Sequence, residues 1–236
     1  MAELNVSIVR PGDPPGARVD ICIVIDVLRA TSTATVLCQR LGELCVVPTP
    51  ADLGRLPGRA SGYALFSELA DVRSEIPRFD NSPIQARDVD LENRMPVLVT
   101  TNGTLAIALA AQLADEVLLA SFINVTAVID YVRRRRVAAV ALMPAGNVKR
   151  TRRNTEDDTC AEVLGALLAD SAAVVDVAAS IAACRLDARI MERRANEPNL
   201  GADIDLCFTL DAVPVVPRVD GAADSPWFRV VAAPSS

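Results

Sequence analysis

The sequence contains no histidine. That single absence removes Ser-His-Asp and Cys-His catalysis, histidine-ligated zinc and phosphohistidine chemistry together. Only one lysine occurs, Lys149, so lysine-dependent schemes have a single candidate. Any acid–base work falls to Asp, Glu, Lys, Tyr, Cys or metal-bound water. Aromatic residues make up 3% of the chain, with one Trp, which argues against stacking surfaces for single-stranded nucleic acid or sugars. The formal net charge is −6, without the broad basic footprint that nucleic acid demands, so no nucleic-acid partner is expected. No apolar run approaches the ~18 residues of a membrane span. The first residues, Met1-Ala-Glu-Leu-Asn-Val6, lack the basic and apolar regions of a signal peptide, so no membrane partner is expected and the cytoplasm is the default location. There is also no CxxC pair: the six cysteines are scattered among apolar residues and read as small buried thiols.

What remains is a small-molecule protein. Half of the 236 residues (51%) are hydrophobic, enough for a sizeable core without disulfides or structural metal. No linker or low-complexity tract divides the chain. Residues 1–236 are therefore expected to form a single α/β unit, or two intimately packed subdomains.

The apolar segments alternate in a way that suits strands and helices. Val19–Ile25 is a β-branched run that reads as a buried strand, ending at Asp26 and passing through Arg29 and Thr31-Ser32-Thr33 into a helix to about Leu41. Thr and Ser there are expected N-caps. Pro96–Val99 is a second strand, followed by Thr100-Thr101-Asn102-Gly103-Thr104 and a helix over Leu105–Ala114. Val137–Met143 is a third, leading through Pro144-Ala-Gly146-Asn147 and a basic stretch to a helix that opens at Asn154 and runs to about Asp170. Glu116–Ala120 reads as a strand, Asn124–Arg134 as a helix, Ala172–Arg194 as mostly helical, and Val213–Val219 and Phe228–Ala232 as closing strands. The expected fold is an α/β three-layer sandwich: a largely parallel or mixed sheet with helices on both faces. Right-handed crossovers in such a sheet put the active site at the carboxyl ends of the strands.

Three polar loops would meet there. In the first, Asp26 can hold a divalent cation, orient water or attack phosphorus, and Arg29 offers a planar fork for phosphate. Thr31, Ser32 and Thr33 add hydroxyls at a helix start, a ready anion site. The alternative is a capped helix with an incidental Asp and Arg. The second loop, Thr101-Asn102-Gly103-Thr104, is either an anion cradle, with Gly103 allowing close backbone approach, or simply a turn. In the third, Lys149 to Arg153 is basic and Glu156-Asp157-Asp158 opens a helix. The acids can bind Mg²⁺ alongside Asp26 and the bases attract an anionic substrate, or the segment is ordinary capping beside a solvated loop. Arg133–Arg136 reads as a solvated helix end. No cysteine is followed six residues later by Arg, Leu28 stands where a haloacid-dehalogenase motif needs its second Asp, Asp88-Val-Asp90 has that spacing without a preceding apolar strand, and no P-loop is present.

Several segments, in order, resemble the 2-phosphosulfolactate phosphatases, which act in coenzyme M biosynthesis. Val24–Thr33 is similar to that family's first signature, and Phe79-Asp-Asn-Ser-Pro83 resembles its GFD-GNSP segment. Thr101–Thr104 resembles its TTNGT loop, and Ser121-Phe-Ile-Asn124 its GSF-N segment. Pro144-Ala-Gly146 and Glu156–Cys160 resemble its third loop and EDD-CAG helix start; Leu200–Asp205 with Asp211 and Pro214 resembles its tail. Three segments depart from the pattern. Leu65-Phe-Ser-Glu68-Leu stands where the family has a Gly-rich GGER-like segment, keeping an acid and losing the glycines. The Arg78–Ser82 segment lacks the usual first Gly, and Cys160-Ala161-Glu162 replaces CAG.

The resemblance implies a Mg²⁺-dependent hydrolase of phosphomonoesters, acting on 2-phosphosulfolactate or a related phosphorylated 2-hydroxy acid. It makes Asp26 and Arg29 catalytic. It assigns Thr31, Ser32, Thr33, Asn81, Ser82, Thr101, Asn102, Gly103 and Thr104 to substrate or phosphate binding, and Asp26, Glu68, Glu156 and Asp157 to Mg²⁺. The expected partner is a small anionic phosphorylated substrate; a homodimer stays open. Two other readings remain: a non-catalytic relative that binds an anionic metabolite through the same loops, and a different metal-assisted hydrolase on this scaffold.

Overall fold

In a computed structural model, two blocks of parallel strands are joined by one antiparallel hairpin into a single ten-stranded sheet. Residues 4–14, 16–72, 74–146, 153–169, 176–197 and 199–234 are described. In chain order the strands are β1 (Asn5–Ile8), β2 (Val19–Ile25), β3 (Glu43–Val46), β4 (Tyr63–Phe66), β5 (Arg78–Phe79), β6 (Met95–Leu98), β7 (Ala114–Ala120), β8 (Ala139–Pro144), β9 (Pro217–Asp220) and β10 (Phe228–Ala232). The helices are α1 (Ala30–Leu41), α2 (Pro83–Asp88), α3 (Gly103–Leu113), α4 (Val125–Arg135), α5 (Thr155–Leu168), α6 (Val177–Arg185), α7 (Ala188–Asn196) and α8 (Leu200–Cys207). The sheet order is β1-β8-β2-β7-β9-β10-β3-β6-β4-β5. β1, β8, β2 and β7 are mutually parallel, as are β3, β6, β4 and β5; β9 and β10 run antiparallel between the blocks.

The period of two along β2 divides the core. Cys22 and Val24 enter one apolar cluster with α1 and α3, while Ile21, Ile23 and Ile25 enter another with α4, α5 and the C-terminal helices. Both faces of the strand are therefore covered, which is why its sequence is almost continuously apolar. The architecture is a three-layer α/β sandwich with a mostly parallel sheet and helices on both faces.

The helices cross between the blocks. α1 leaves β2 in the first block and reaches past β7 to pack on β3, β6 and β10, whereas α3 leaves β6 in the second block and packs on β2 and β7. This exchange brings the loops after β2 and β6 together although four strands separate β2 from β6 in the sheet. α1 ends at Gly42, whose φ of 81° is the left-handed cap that glycine adopts without Cβ strain.

Several sequence expectations are corrected in detail. Arg29, not a Thr or Ser, occupies the N-cap of α1, without a side-chain cap bond, and Thr31–Thr33 lie inside the helix. The stretch from Ala172 resolves into two helices that break at Leu186, where the Asp187 carboxylate caps α7; residues 170–175 lie outside the described residues. Of Val213–Val219 only the last part is strand, because the backbone of Val213 bonds to Ile123 in a loop contact. All six cysteines are buried and unpaired, as expected, and burial pushes the Cys22, Cys38 and Cys207 thiols up to about 12, which leaves them poor nucleophiles. Among the described residues no helix is long and apolar enough to cross a membrane.

Candidate active site

Asp26 caps the carboxyl end of β2, and its neighbours are held by hydroxyls. The Thr31 hydroxyl accepts the Asp26 N–H at 3.0 Å and lies 2.8 Å from Asp26 O and 2.7 Å from Ala120 O. Ser32 Oγ donates to Val27 O at 2.9 Å. Thr31 and Ser32 thus fasten the turn to β7 and to itself. Thr33 is fully buried, and its hydroxyl has no partner among the described residues. The Leu28–Arg29 peptide within this turn is cis.

The loop after β6 comes in from the other block. Gly103 opens α3 directly against the first loop: a Cβ there would lie 2.6 Å from Asp26 Oδ2 and 2.5 Å from Ala30 Cβ. Only glycine lets the backbone approach so closely. Thr104 is buried and closes its own turn, its hydroxyl accepting from Thr100 N at 3.2 Å. Thr101 donates both its N–H (2.7 Å) and its hydroxyl (2.9 Å) to Glu68 Oε1, which ties the end of β4 to this loop. Asn102 stands at the N-cap of α3 without a side-chain cap bond.

The start of α5 is the third component. Asp157 is fully buried and accepts from Val27 N at 2.8 Å, Gly146 N at 3.2 Å and Asn154 Nδ2 at 3.1 Å, so its carboxylate binds the first loop to the third. Glu156 is also fully buried. Its Oε2 pairs with Arg189 on α7, and its Oε1 has no partner among the described residues. The N-terminal ends of α1, α3 and α5 therefore lie beside Asp26 and Val27, and the positive ends of their dipoles make this region favourable to negative charge.

Electrostatics single out Asp26. Burial, then the Glu68 charge, push its carboxyl up to about 7; the Ala30 N–H at 3.3 Å opposes the rise, Glu156 adds to it and Arg193 opposes it. Asp157 is raised well above the usual carboxylate range, by burial first and then by Glu156 and Asp26. Among the described residues, no three carboxylates or thiols stand close enough to form a protein-only metal cage.

Arg29 is engaged by two carboxylates. Its Nη1 donates to Asp203 Oδ2 at 2.5 Å and to Asp80 Oδ2 at 3.0 Å, and its Nη2 to Asp80 Oδ1 at 3.1 Å. Burial works against its charge, but Asp203 and Asp80 outweigh that and keep the guanidinium protonated. Asp203, fully buried on α8, also accepts from Ser82 Oγ at 2.6 Å and Ile84 N at 3.3 Å. Ser82 in turn caps α2 through Gln85 N. Between the two anchored residues Asp80 and Ser82, Asn81 is buried with its Oδ1 unpartnered among the described residues.

A family model described as 2-phosphosulpholactate phosphatase matches residues 10–222. The chain belongs to this family. A Thermus thermophilus protein named "Probable 2-phosphosulfolactate phosphatase" is 35% identical over 63% of this chain and 62% of its own length. A Deinococcus radiodurans protein of the same name is 36% identical over 54% of this chain and 53% of its length. The match to these two relatives thus spans between half and two thirds of their length. A Gloeobacter violaceus protein, also so named, is 29% identical over 88% of this chain and 92% of its own.

In this phosphosulfolactate phosphatase family member the hydroxyls of Thr31, Ser32 and Thr104 bond to backbone carbonyls, and most of the other sequence-predicted site residues fall into two groups. Asp26, Gly103, Glu156 and Asp157 meet around one point, with Glu68 close enough for its charge to act on Asp26 and Thr101 bonded to it. Arg29, Asn81 and Ser82 form a neighbouring cluster that sequence reasoning left without its central members, Asp80 and Asp203. Both acids lie inside segments that resemble the family, which was the available signal; their pairing with Arg29 was not. Arg189 and Arg193 on α7 were missed altogether. Other family-like residues are structural: Asn124 Nδ2 donates to Leu119 O and Val215 O, and Asp211 accepts from Thr126 N and Oγ1. Lys149 and most of the basic loop lie outside the described residues.

Proposed function

We propose that this chain is a Mg²⁺-dependent phosphomonoester hydrolase acting on 2-phosphosulfolactate or a related phosphorylated 2-hydroxy acid. The observation that carries the reading is Asp26: a buried carboxyl raised to about 7, at the meeting point of three helix N-termini and in contact with the Gly103 backbone. A carboxyl poised near neutrality changes protonation state at little cost, as a group that takes and returns a proton must. The converging N–H groups favour the charge of a phosphoryl group and hold it against Asp26. The Arg29–Asp203–Ser82 network fixes the Asn81 turn beside it, so the buried Asn81 Oδ1 is held ready to accept a hydrogen bond from a bound molecule or water.

The donor set fits Mg²⁺. Asp26 and the unpartnered, buried Glu156 Oε1 are hard oxygen ligands, and Glu68 adds negative charge. Mg²⁺ characteristically takes one or two carboxylates together with waters and substrate phosphate, so it does not require a protein-only cage. Bound there, it would supply Lewis-acid neutralisation of phosphoryl charge. Asp157, already committed to three donors, serves to align the loops. The six unpaired cysteines support a reducing compartment, the cytoplasm.

The test is phosphate release by purified protein from 2-phosphosulfolactate, 2-phospholactate, 2-phosphoglycerate and p-nitrophenyl phosphate, with Mg²⁺ and with EDTA. Mg²⁺-dependent release that is highest for a phosphorylated 2-hydroxy acid is expected. Release from none of the four would refute the reading.

A further inference from the structure

Guanidinium groups stand around the Asp26 site, Arg29 from its own loop and Arg189 and Arg193 from α7, and they differ in how tightly they are held. Arg29 is bonded to the fully buried Asp203, and Arg189 to the fully buried Glu156. Releasing either would strand a buried carboxylate, which is costly. Arg193 is different. Its partner, Glu197, lies four residues on along the same chain, at 3.0 Å, with its side chain 49% exposed. Such an exposed pair exchanges readily for another anion.

Its position follows from α7. Arg189 and Arg193 lie four residues apart and so share one helix face, with Glu197 at the C-cap just past the last turn. Arg189 fixes that face onto Glu156, and Arg193 stands one turn on, ~6 Å further along the axis. Its side chain is only 29% exposed, although its ion pair faces solvent. Its charge also acts on Asp26, where it opposes the upward push of the surrounding acids.

We propose that Arg193 is a specificity-determining residue that binds the acid group of the substrate other than its phosphate, exchanging Glu197 for that group when substrate enters. This rests on the phosphatase reading above for the substrate class. The acids gathered at the site, Asp26, Glu68, Glu156 and Asp157, would repel a second anionic group on the substrate. A displaceable guanidinium at the rim offsets that repulsion and orients the molecule, and its geometry suits a carboxylate or sulfonate.

The experiment is calorimetric titration of the wild type, Arg193→Met and Glu197→Gln with 3-sulfolactate and, separately, with inorganic phosphate, all in the presence of Mg²⁺. Arg193→Met is expected to weaken 3-sulfolactate about tenfold or more and phosphate by far less. Glu197→Gln, which removes the competing carboxylate, is expected to tighten 3-sulfolactate. Equal weakening of both ligands in Arg193→Met, unchanged 3-sulfolactate affinity in both variants, or no binding of 3-sulfolactate by the wild type would overturn the proposal. These outcomes are independent of turnover. Absence of phosphate release from every phosphomonoester would instead count against the phosphatase reading, with the assignment of Arg193 still decided by the titrations.

Discussion

Gly103 and Asp26 touch across the two halves of the sheet: the backbone of one comes so near the carboxylate of the other that a Cβ would sit 2.6 Å from Oδ2. The contact exists because α1 and α3 exchange blocks, so the glycine is required by the topology as much as by the site. Gly103→Ala is therefore predicted to destabilise the protein by about 1–3 kcal/mol, the usual cost of overpacking, and to displace Asp26. Thermal melting and phosphate release measured on the same preparation would check this. A variant with unchanged melting and activity would contradict the contact.

Asp203 and Asp80 bind the same guanidinium but differ in burial, and the two should separate cleanly. Asp203→Ala leaves the largely buried Arg29 without its deepest partner and is expected to cost about 3–5 kcal/mol in urea unfolding. Asp80 is 38% exposed, and Asp80→Ala is expected to cost about 0–1 kcal/mol. Equal losses would show that Asp203 is not the anchor.

Much of this arrangement was legible in the sequence, and the boundary is physical. β2, β7 and β10 announce themselves as apolar runs, and the three loops after β2, β6 and β8 stand out because polar residues interrupt such runs. β3, β4 and β5 have two to four residues each, too short for a period to declare itself. Thr31 and Ser32 resembled cap residues, yet tertiary packing drew their hydroxyls to the carbonyls of Ala120 and Val27 inside α1. The Arg29–Asp203 pair joins residues 174 apart, a distance that local pattern cannot bridge. α7 read as helix, but which of its arginines face the site depends on where the helix docks.

The raised carboxyls give a pH dependence whose sign is fixed. Asp26 binds its proton up to about pH 7 in the folded chain and only to about the ordinary aspartate range, near 4, when unfolded. Between those values the native state holds the extra proton, so metal-free stability falls as pH rises from about 4 to about 7 and is flat above for this group. Asp157 contributes in the same direction. Melting curves across that range should slope downward in the wild type and less steeply in Asp26→Asn; an identical slope would remove Asp26 as the source.

Metal addition provides a linked observation. On the proposed reading Mg²⁺ would compete with the proton for the Asp26 carboxylate, so it should raise the melting temperature more at pH 8 than at pH 6. At a hundredfold excess over its dissociation constant the stabilisation is about 2.7 kcal/mol, and EDTA should reverse it. Glu156→Gln, which neutralises the unpartnered Oε1, should weaken the effect.

On the proposed reading the Asp26 carboxyl carries phosphomonoester hydrolysis. Phosphate release from 2-phosphosulfolactate by the wild type and by Asp26→Asn, measured side by side with Mg²⁺ at pH 7.5, tests it most directly. Turnover by the wild type and at least ~100-fold less by the nearly isosteric variant, with both melting as folded proteins, is the predicted result. Comparable turnover by the two would show that Asp26 does not carry the reaction and place the chemistry elsewhere.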